Sequence, residues 1–253
     1  MLIDTHVHLN NDALYEDVEK YLKAAREEGV KRFLVIGYDP VMNERAIKLA
    51  ENHDDVYASV GVHPTYAKHY SDEMFDKVKD QATHSKVKAI GECGMDYHWD
   101  KDNPEAQKTV FAKQIELAKQ LDKPVVVHMR DATEDTYETL KAYAPLKGVM
   151  HCYSGSLEMA YKFLDLGLHV SLGGPVTFKN AKVPKEVAKI IPDDKLLVET
   201  DAPFLAPHPY RGKQNDSSYL PLIAKAVSEL RGMRYEKLSE LTTKNAKILF
   251  NME

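Results

Sequence analysis

A chain of 253 residues can hold one closed α/β barrel or two small domains, and 43% hydrophobic with 29% charged residues suits a globular protein with a large core. A formal net charge of −5 excludes a global positive field of the kind that marks a nucleic-acid-binding protein, though not an enzyme that grips a strand with a few loop residues around a metal. Two cysteines, Cys93 and Cys152, exclude a disulfide framework and point to a reducing cytosol. Met1-Leu2-Ile3-Asp4 carries no basic region before an apolar run, so no signal peptide is expected. No apolar stretch approaches the roughly 20 residues that span a bilayer.

In chain order, short β-branched runs alternate with longer helical patterns, the signature of βα units around a parallel sheet. The expected strands are Leu2–His8, Arg32–Gly37, Val56–Val62, Val87–Glu92, Pro124–Met129, Gly148–Cys152, His169–Leu172 and Lys195–Asp201. Leu14, Val18, Leu22 and Ala25 lie at helical spacing after the first strand, with Gly29 placed to cap the helix. Asn103-Pro104 reads as an N-cap followed by proline at the first helical position, and Ser156 as another cap. Eight strands with helices between them predict a single (β/α)₈ barrel over residues 1–253. No linker, repeat or block of like charge divides it. A doubly wound sheet is the alternative, but no Gly-x-Gly-x-x-Gly turn follows the first strand.

The residues that end the strands carry the chemistry, because a barrel of this kind builds its site where the C-terminal strand ends meet the βα loops. His6 and His8 are two apart, so both imidazoles leave one face of the first strand. Glu92 ends the fourth strand, His128 the fifth, His151 the sixth and Asp201 the eighth. Taken singly, each is more simply a hydrogen-bonded structural residue. Unmetallated, the whole set in one barrel mouth would carry a large desolvation cost. Four imidazoles and two carboxylates suit Mg²⁺, Mn²⁺ or Zn²⁺, and six ligands suit two ions about 3.5–4 Å apart, with Glu92 as the bridge.

These residues resemble a known family. Asp4-Thr5-His6-Val7-His8 looks like the opening of the amidohydrolase superfamily. Gly61-Val62-His63-Pro64, Gly91-Glu92-Cys93-Gly94-Met95-Asp96-Tyr97, His151-Cys152-Tyr153-Ser154-Gly155 and Gly173-Gly174-Pro175-Val176-Thr177-Phe178-Lys179 resemble the TatD family of metal-dependent deoxyribonucleases. Glu199-Thr200-Asp201-Ala202-Pro203-Phe204-Leu205 and Pro207-His208-Pro209-Tyr210-Arg211-Gly212-Lys213 extend the likeness to the last loop. The resemblance implies a barrel hydrolase with metal at His6, His8, Glu92, His128, His151 and Asp201, and with DNA as substrate, in the cytoplasmic setting that the cysteine usage already suggests. Glu92 matches the glutamate that stands there in place of a carboxylated lysine.

Under that reading a metal lowers the pKa of water from 15.7 toward about 7, and Asp201 takes the attacking water's proton or serves as a ligand only. His63 contacts phosphate or protonates the leaving oxygen, with a structural turn before Pro64 as the plainer account. Arg211 and Lys213 are expected to bind phosphate, with Lys179 extending the basic rim and Lys182 solvated. Tyr97, His98 and Trp99 offer either base-stacking platforms or a hydrophobic lid. Asp4 and Glu199 share the ligands' strand parity one layer deeper and are expected to accept hydrogen bonds from ligand imidazoles. The same metal set could act on an ester, lactone or amide, including D-aminoacyl-tRNA, with RNA another possible substrate. A non-enzymatic binding module is disfavoured by an acidic chain carrying a complete metal set. No membrane association or obligate protein partner is expected.

Overall fold

The computed structural model describes residues 1–252. Its strands are β1 (Leu2–Val7), β2 (Val30–Ile36), β3 (Val56–Val60), β4 (Val87–Asp96), β5 (Val125–Arg130), β6 (Gly148–Met150), β7 (His169–Leu172) and β8 (Leu196–Val198). They form one sheet in sequence order, and each successive pair is parallel. β8 returns to β1 through a parallel bridge between Val7 and Ala202, with Asp201 N–H donating to His6 O at 2.9 Å. A helix lies between consecutive strands throughout, so the expected (β/α)₈ barrel is the fold. Among the described residues no helix is long and apolar enough to cross a membrane.

Alternate residues of the strands divide the core in two. Ile3, Leu34, Ile36, Ala89, Val126, Val149 and Leu197 form the inner cluster. Leu2, Val7, Phe33, Val35, Val125, Val127 and Val170 belong to the larger cluster that the helices cover. The long helix Pro104–Gln120 begins at the expected proline, but the Asn103 side chain donates to Asp100 Oδ1 at 2.7 Å and does not cap the helix. Ser156 does cap, accepting from Met159 N at 3.2 Å. The first helical segment breaks in two, Asp12–Tyr15 and Val18–Glu27, with Gly29 following at φ +90°.

Three strand limits depart from expectation in ways that matter for the site. β4 does not stop at Glu92 but runs on to Asp96. β6 and β8 stop early, so His151 lies one residue past its strand and Asp201 three residues past. β1 carries a register shift between Asp4 and Val7, which interrupts the simple alternation of its faces.

Candidate metal centre

Two glycines explain how β4 brings its carboxylates to the mouth. Gly91 sits at φ +136° and Gly94 at φ +140°, conformations that side-chain-bearing residues rarely adopt. A Cβ at Gly91 would lie 2.5 Å from the Val126 carbonyl oxygen, and one at Gly94 would collide with the His128 carbonyl. The pairing of β4 with β5 shifts register between Ile90 and Cys93, then continues through Gly94–His128 to Asp96–Arg130. The Gly-Glu-Cys-Gly segment is therefore a bulge that presses β4 against β5 and places Glu92 and Asp96 around His128. Asp201 is held at φ +57°, a left-handed conformation that aspartate tolerates better than most residues.

The Glu92 carboxylate divides the site. Its Oε2 lies 3.4 Å from His6 Nε2 and 3.6 Å from His8 Nε2. Those two nitrogens are 3.2 Å apart, and Asp201 Oδ1 faces them at 3.6 and 3.4 Å. The other oxygen, Oε1, lies 2.9 Å from His128 Nδ1, 3.0 Å from His151 Nε2 and 3.7 Å from His63 Nε2. Ligand atoms about 2.0–2.2 Å from a shared ion stand roughly 3–3.6 Å from one another, and the His6, His8 and carboxylate separations match that spacing.

The far side of each ring decides its tautomer, which follows from its hydrogen-bond partners. His8 Nδ1 lies 3.1 Å from the Ile36 carbonyl, His151 Nδ1 3.1 Å from Glu199 Oε1, and His128 Nε2 2.9 Å from Asp96 Oδ2. Each of those nitrogens must carry the proton, because its partner can only accept. The opposite nitrogen of all three rings then aims a lone pair at the Glu92 and Asp201 oxygens, which are acceptors too. Lone pairs facing lone pairs need a cation between them, and this donor set fits a divalent metal. Without one, protons take its place. Burial pulls the His151 imidazole down, but Glu92 and Glu199 outweigh it and hold it well above its usual value. Burial favours neutral Glu92, yet the surrounding imidazoles, His151 foremost, outweigh it and hold the carboxyl well below its usual range.

His63 differs from the other rings. Its Nδ1 accepts from Thr65 N–H at 3.3 Å and lies 2.8 Å from Thr65 Oγ1, so the proton sits on Nε2, toward Glu92. Burial, then the neighbouring His128, lowers its pKa to about 3, which leaves a neutral ring whose N–H points into the cavity.

A model of the family described as TatD related DNase matches residues 3–251. The chain belongs to the TatD family. It is 46% identical, over the full length of both chains, to the uncharacterized metal-dependent hydrolase YabD of Bacillus subtilis. A 3'-5' ssDNA/RNA exonuclease TatD of Pantoea ananatis is 34% identical, with 99% of this chain and 100% of that one aligned. The crystal structure of YJJV, a TatD homolog from Escherichia coli K12, superposes with a TM-score of 0.95 at 31% identity, covering 100% of this chain and 98% of that one. This TatD chain is therefore a hydrolase that depends on divalent metal.

Of the other residues of the TatD chain, some take the places expected from the sequence and some do not. Glu199 reaches a ring, that of His151, and also accepts from Cys152 N at 2.7 Å. Asp4 does not reach one: it accepts from Thr200 N and Oγ1 at 3.0 and 2.6 Å and from Ser217 Oγ at 2.7 Å. The register shift in β1 falls between Asp4 and Val7, so a strict period of two does not carry from His8 back to Asp4. Tyr97 is no platform, because its hydroxyl donates to Asp135 Oδ2 at 2.5 Å and its ring packs against the core. His98 lies outside the cavity wall with Nδ1 3.2 Å from Asp131 Oδ2, whereas Trp99 lines the mouth and is 69% exposed. Arg211 packs over Phe178 at 4.5 Å, Lys213 lies 5.8 Å from the Tyr210 ring, and neither belongs to the cavity wall. Lys179 and Lys182 are not part of that wall either. The cavity, about 470 Å³, is instead lined by Tyr38, Tyr66, Phe204, Leu205 and Arg130 around the metal-site residues. Asp96 and Arg130 escape notice in the sequence. The signal for both is the alternation of β4 and β5 continued two or more residues past Glu92 and His128.

Proposed function

We propose that the chain hydrolyses phosphodiester bonds at an end of single-stranded DNA, with two divalent ions held on the two sides of Glu92. His6, His8 and Asp201 would hold one ion, and His128 and His151 the other. The observation that carries this reading is the division of the Glu92 oxygens between two sets of imidazole nitrogens. The exonuclease name of the Pantoea relative supports the nucleic-acid substrate. A nitrogen-rich donor set favours Zn²⁺ or Mn²⁺ over Mg²⁺. The free thiols Cys93 and Cys152 fit a cytosolic setting.

Bound divalent metal supplies Lewis acidity, acidifying water and offsetting charge on the scissile phosphate. The protein's own residues do the rest. Asp201 is kept ionised, since burial is outweighed by His8 and His6, and its carboxylate takes the proton of the attacking water. Neutral His63 donates a hydrogen bond from Nε2 to a phosphoryl or leaving oxygen, without transferring its proton. Asp96 and Glu199 orient His128 and His151 through their outer nitrogens. A mouth of this volume, bordered by exposed Trp99 and Phe204, admits a strand end more readily than a continuous duplex.

The test is incubation of 5′-end-labelled single-stranded DNA and RNA with Mg²⁺, Mn²⁺ or Zn²⁺, with chelator as control and an aminoacyl ester alongside. Stepwise shortening that chelator abolishes is expected, and early internal fragments would rule out attack from the end. Turnover of the ester with no phosphodiester cleavage in any metal would make the chain an ester hydrolase.

A further inference from the structure

An anionic substrate must approach a mouth crowded with Glu92, Asp96 and Asp201. Asp201 and Glu92 both face imidazoles, but the cavity wall holds one permanently charged cation among the described residues, Arg130. It ends β5, two residues past His128 and therefore on the same face of the strand. Nearby Asp96 is already engaged by His128 at 2.9 Å and does not neutralise the guanidinium. The guanidinium instead sits by Trp99, its carbon 5.5 Å from the indole centroid. Several other arginines are committed elsewhere, Arg26 to Asp55 at 2.8 Å, Arg45 to Asp12, Arg231 to Asp193 and Arg211 over Phe178, and none of the remaining arginines lines the cavity. Arg130 thus has free donors in the wall of the cavity, and beside them Trp99, met edge-on by the His98 ring at 4.8 Å, is 69% exposed.

We propose that Arg130 and Trp99 form one subsite, in which the guanidinium pairs with a phosphate next to the scissile bond and the indole stacks on the adjoining base. This rests on the phosphodiesterase reading and moves the phosphate contact from the loop of Arg211 and Lys213 to the end of β5. A guanidinium fork suits two phosphate oxygens, and an indole accepts any base, so the subsite recognises a single-stranded nucleotide without reading its sequence. A base stacked in a duplex presents no free face to it.

Trp99 is the only tryptophan, so its fluorescence reports this subsite directly. The experiment titrates the whole protein, in Mg²⁺ and again in EDTA, with thymidine and with thymidine 5′-monophosphate, a monoester that diester hydrolysis leaves intact. The monophosphate should quench saturably and at lower concentration than thymidine. Arg130→Gln should weaken the monophosphate about tenfold or more, leave thymidine unchanged, and be rescued only in part by Arg130→Lys. Arg130 is exposed, and unchanged thermal midpoints would show both variants folded. Equal affinity of wild type and Arg130→Gln for the monophosphate, or no quenching by either ligand, would overturn the subsite. Turnover of pentathymidylate, measured in parallel, separates the two ideas. Turnover with an Arg130-independent monophosphate affinity leaves the nuclease reading and removes the subsite. Arg130-dependent quenching without turnover leaves the subsite and removes the nuclease reading.

Discussion

Asp201 combines two demands in one residue. Its carboxylate faces His6 and His8, and its backbone sits at φ +57°, which closes the barrel through the bond from its N–H to His6 O. Asparagine tolerates the left-handed region about as well as aspartate, so Asp201→Asn changes the carboxylate and spares the backbone. If Asp201 is the general base, kcat should fall by about 10²–10⁴-fold while affinity for the DNA end stays near wild type. Metal content measured on the same sample must stay constant, because a lost ion would mimic the effect. Near-normal kcat would take Asp201 out of the proton-accepting role. Alanine at this position would add left-handed strain to the loss of charge, and is the poorer probe.

At the scale of the element, β4 governs the site. Its glycines let the strand bulge against β5, carry Glu92 inward and go on to Asp96. Gly94→Ala would introduce both an unfavourable φ and a collision with the carbonyl of His128 on the neighbouring strand. Urea unfolding should show a loss of about 3 kcal/mol or more, accompanied by poorer metal loading. Gly29→Ala is the control, since Gly29 has φ +90° but nothing within 4 Å of the place its new methyl would take. It should cost about 1–2 kcal/mol, the conformational part alone, and leave metal loading intact. Equal effects of the two substitutions would mean that close packing of β4 on β5 contributes nothing. In the sequence β4 reads as complete at Glu92 because the glycines interrupt the hydrophobic alternation, and Asp96 is lost with the rest of the strand.

The stability of the whole barrel depends on pH through groups far from the mouth as well as in it. His169 opens β7 and is buried, and burial followed by the charge of Lys195 lowers its pKa to about 4 from 6.5. Below pH 6.5 the unfolded chain takes up this proton and the folded chain does not until about pH 4. Stability contributed by the neutral ring is therefore complete above 6.5 and lost as pH falls through that window, up to roughly 3 kcal/mol. Urea midpoints of wild type and His169→Phe, compared at about pH 7.5 and about pH 5, should show the variant losing less on acidification. Parallel losses would mean that His169 is protonated in the folded barrel. The comparison with the variant cancels the site histidines, which titrate in both proteins.

Much of this molecule is determined locally and so is legible in the chain. Alternating β-branched runs and helical patterns are short-range properties, and they identify the (β/α)₈ barrel and the order of its strands. A period of two places His6 and His8 on one face, and the C-terminal parts of the fourth and fifth strands carry Glu92 and His128 toward one rim. Pairing across the fold is another matter. Whether a carboxylate meets a ring depends on bulges and on elements far apart in the chain: Asp4 goes to Thr200 and Ser217, Glu199 to His151, and Asp96 to His128. The sequence shows that an arginine and a lysine follow β8, but only the packed loops turn Arg211 onto Phe178 and leave Arg130 facing the cavity. One register shift reverses which face a strand residue takes, and one loop's path decides which charge reaches the mouth, so those contacts exist only once the barrel has closed.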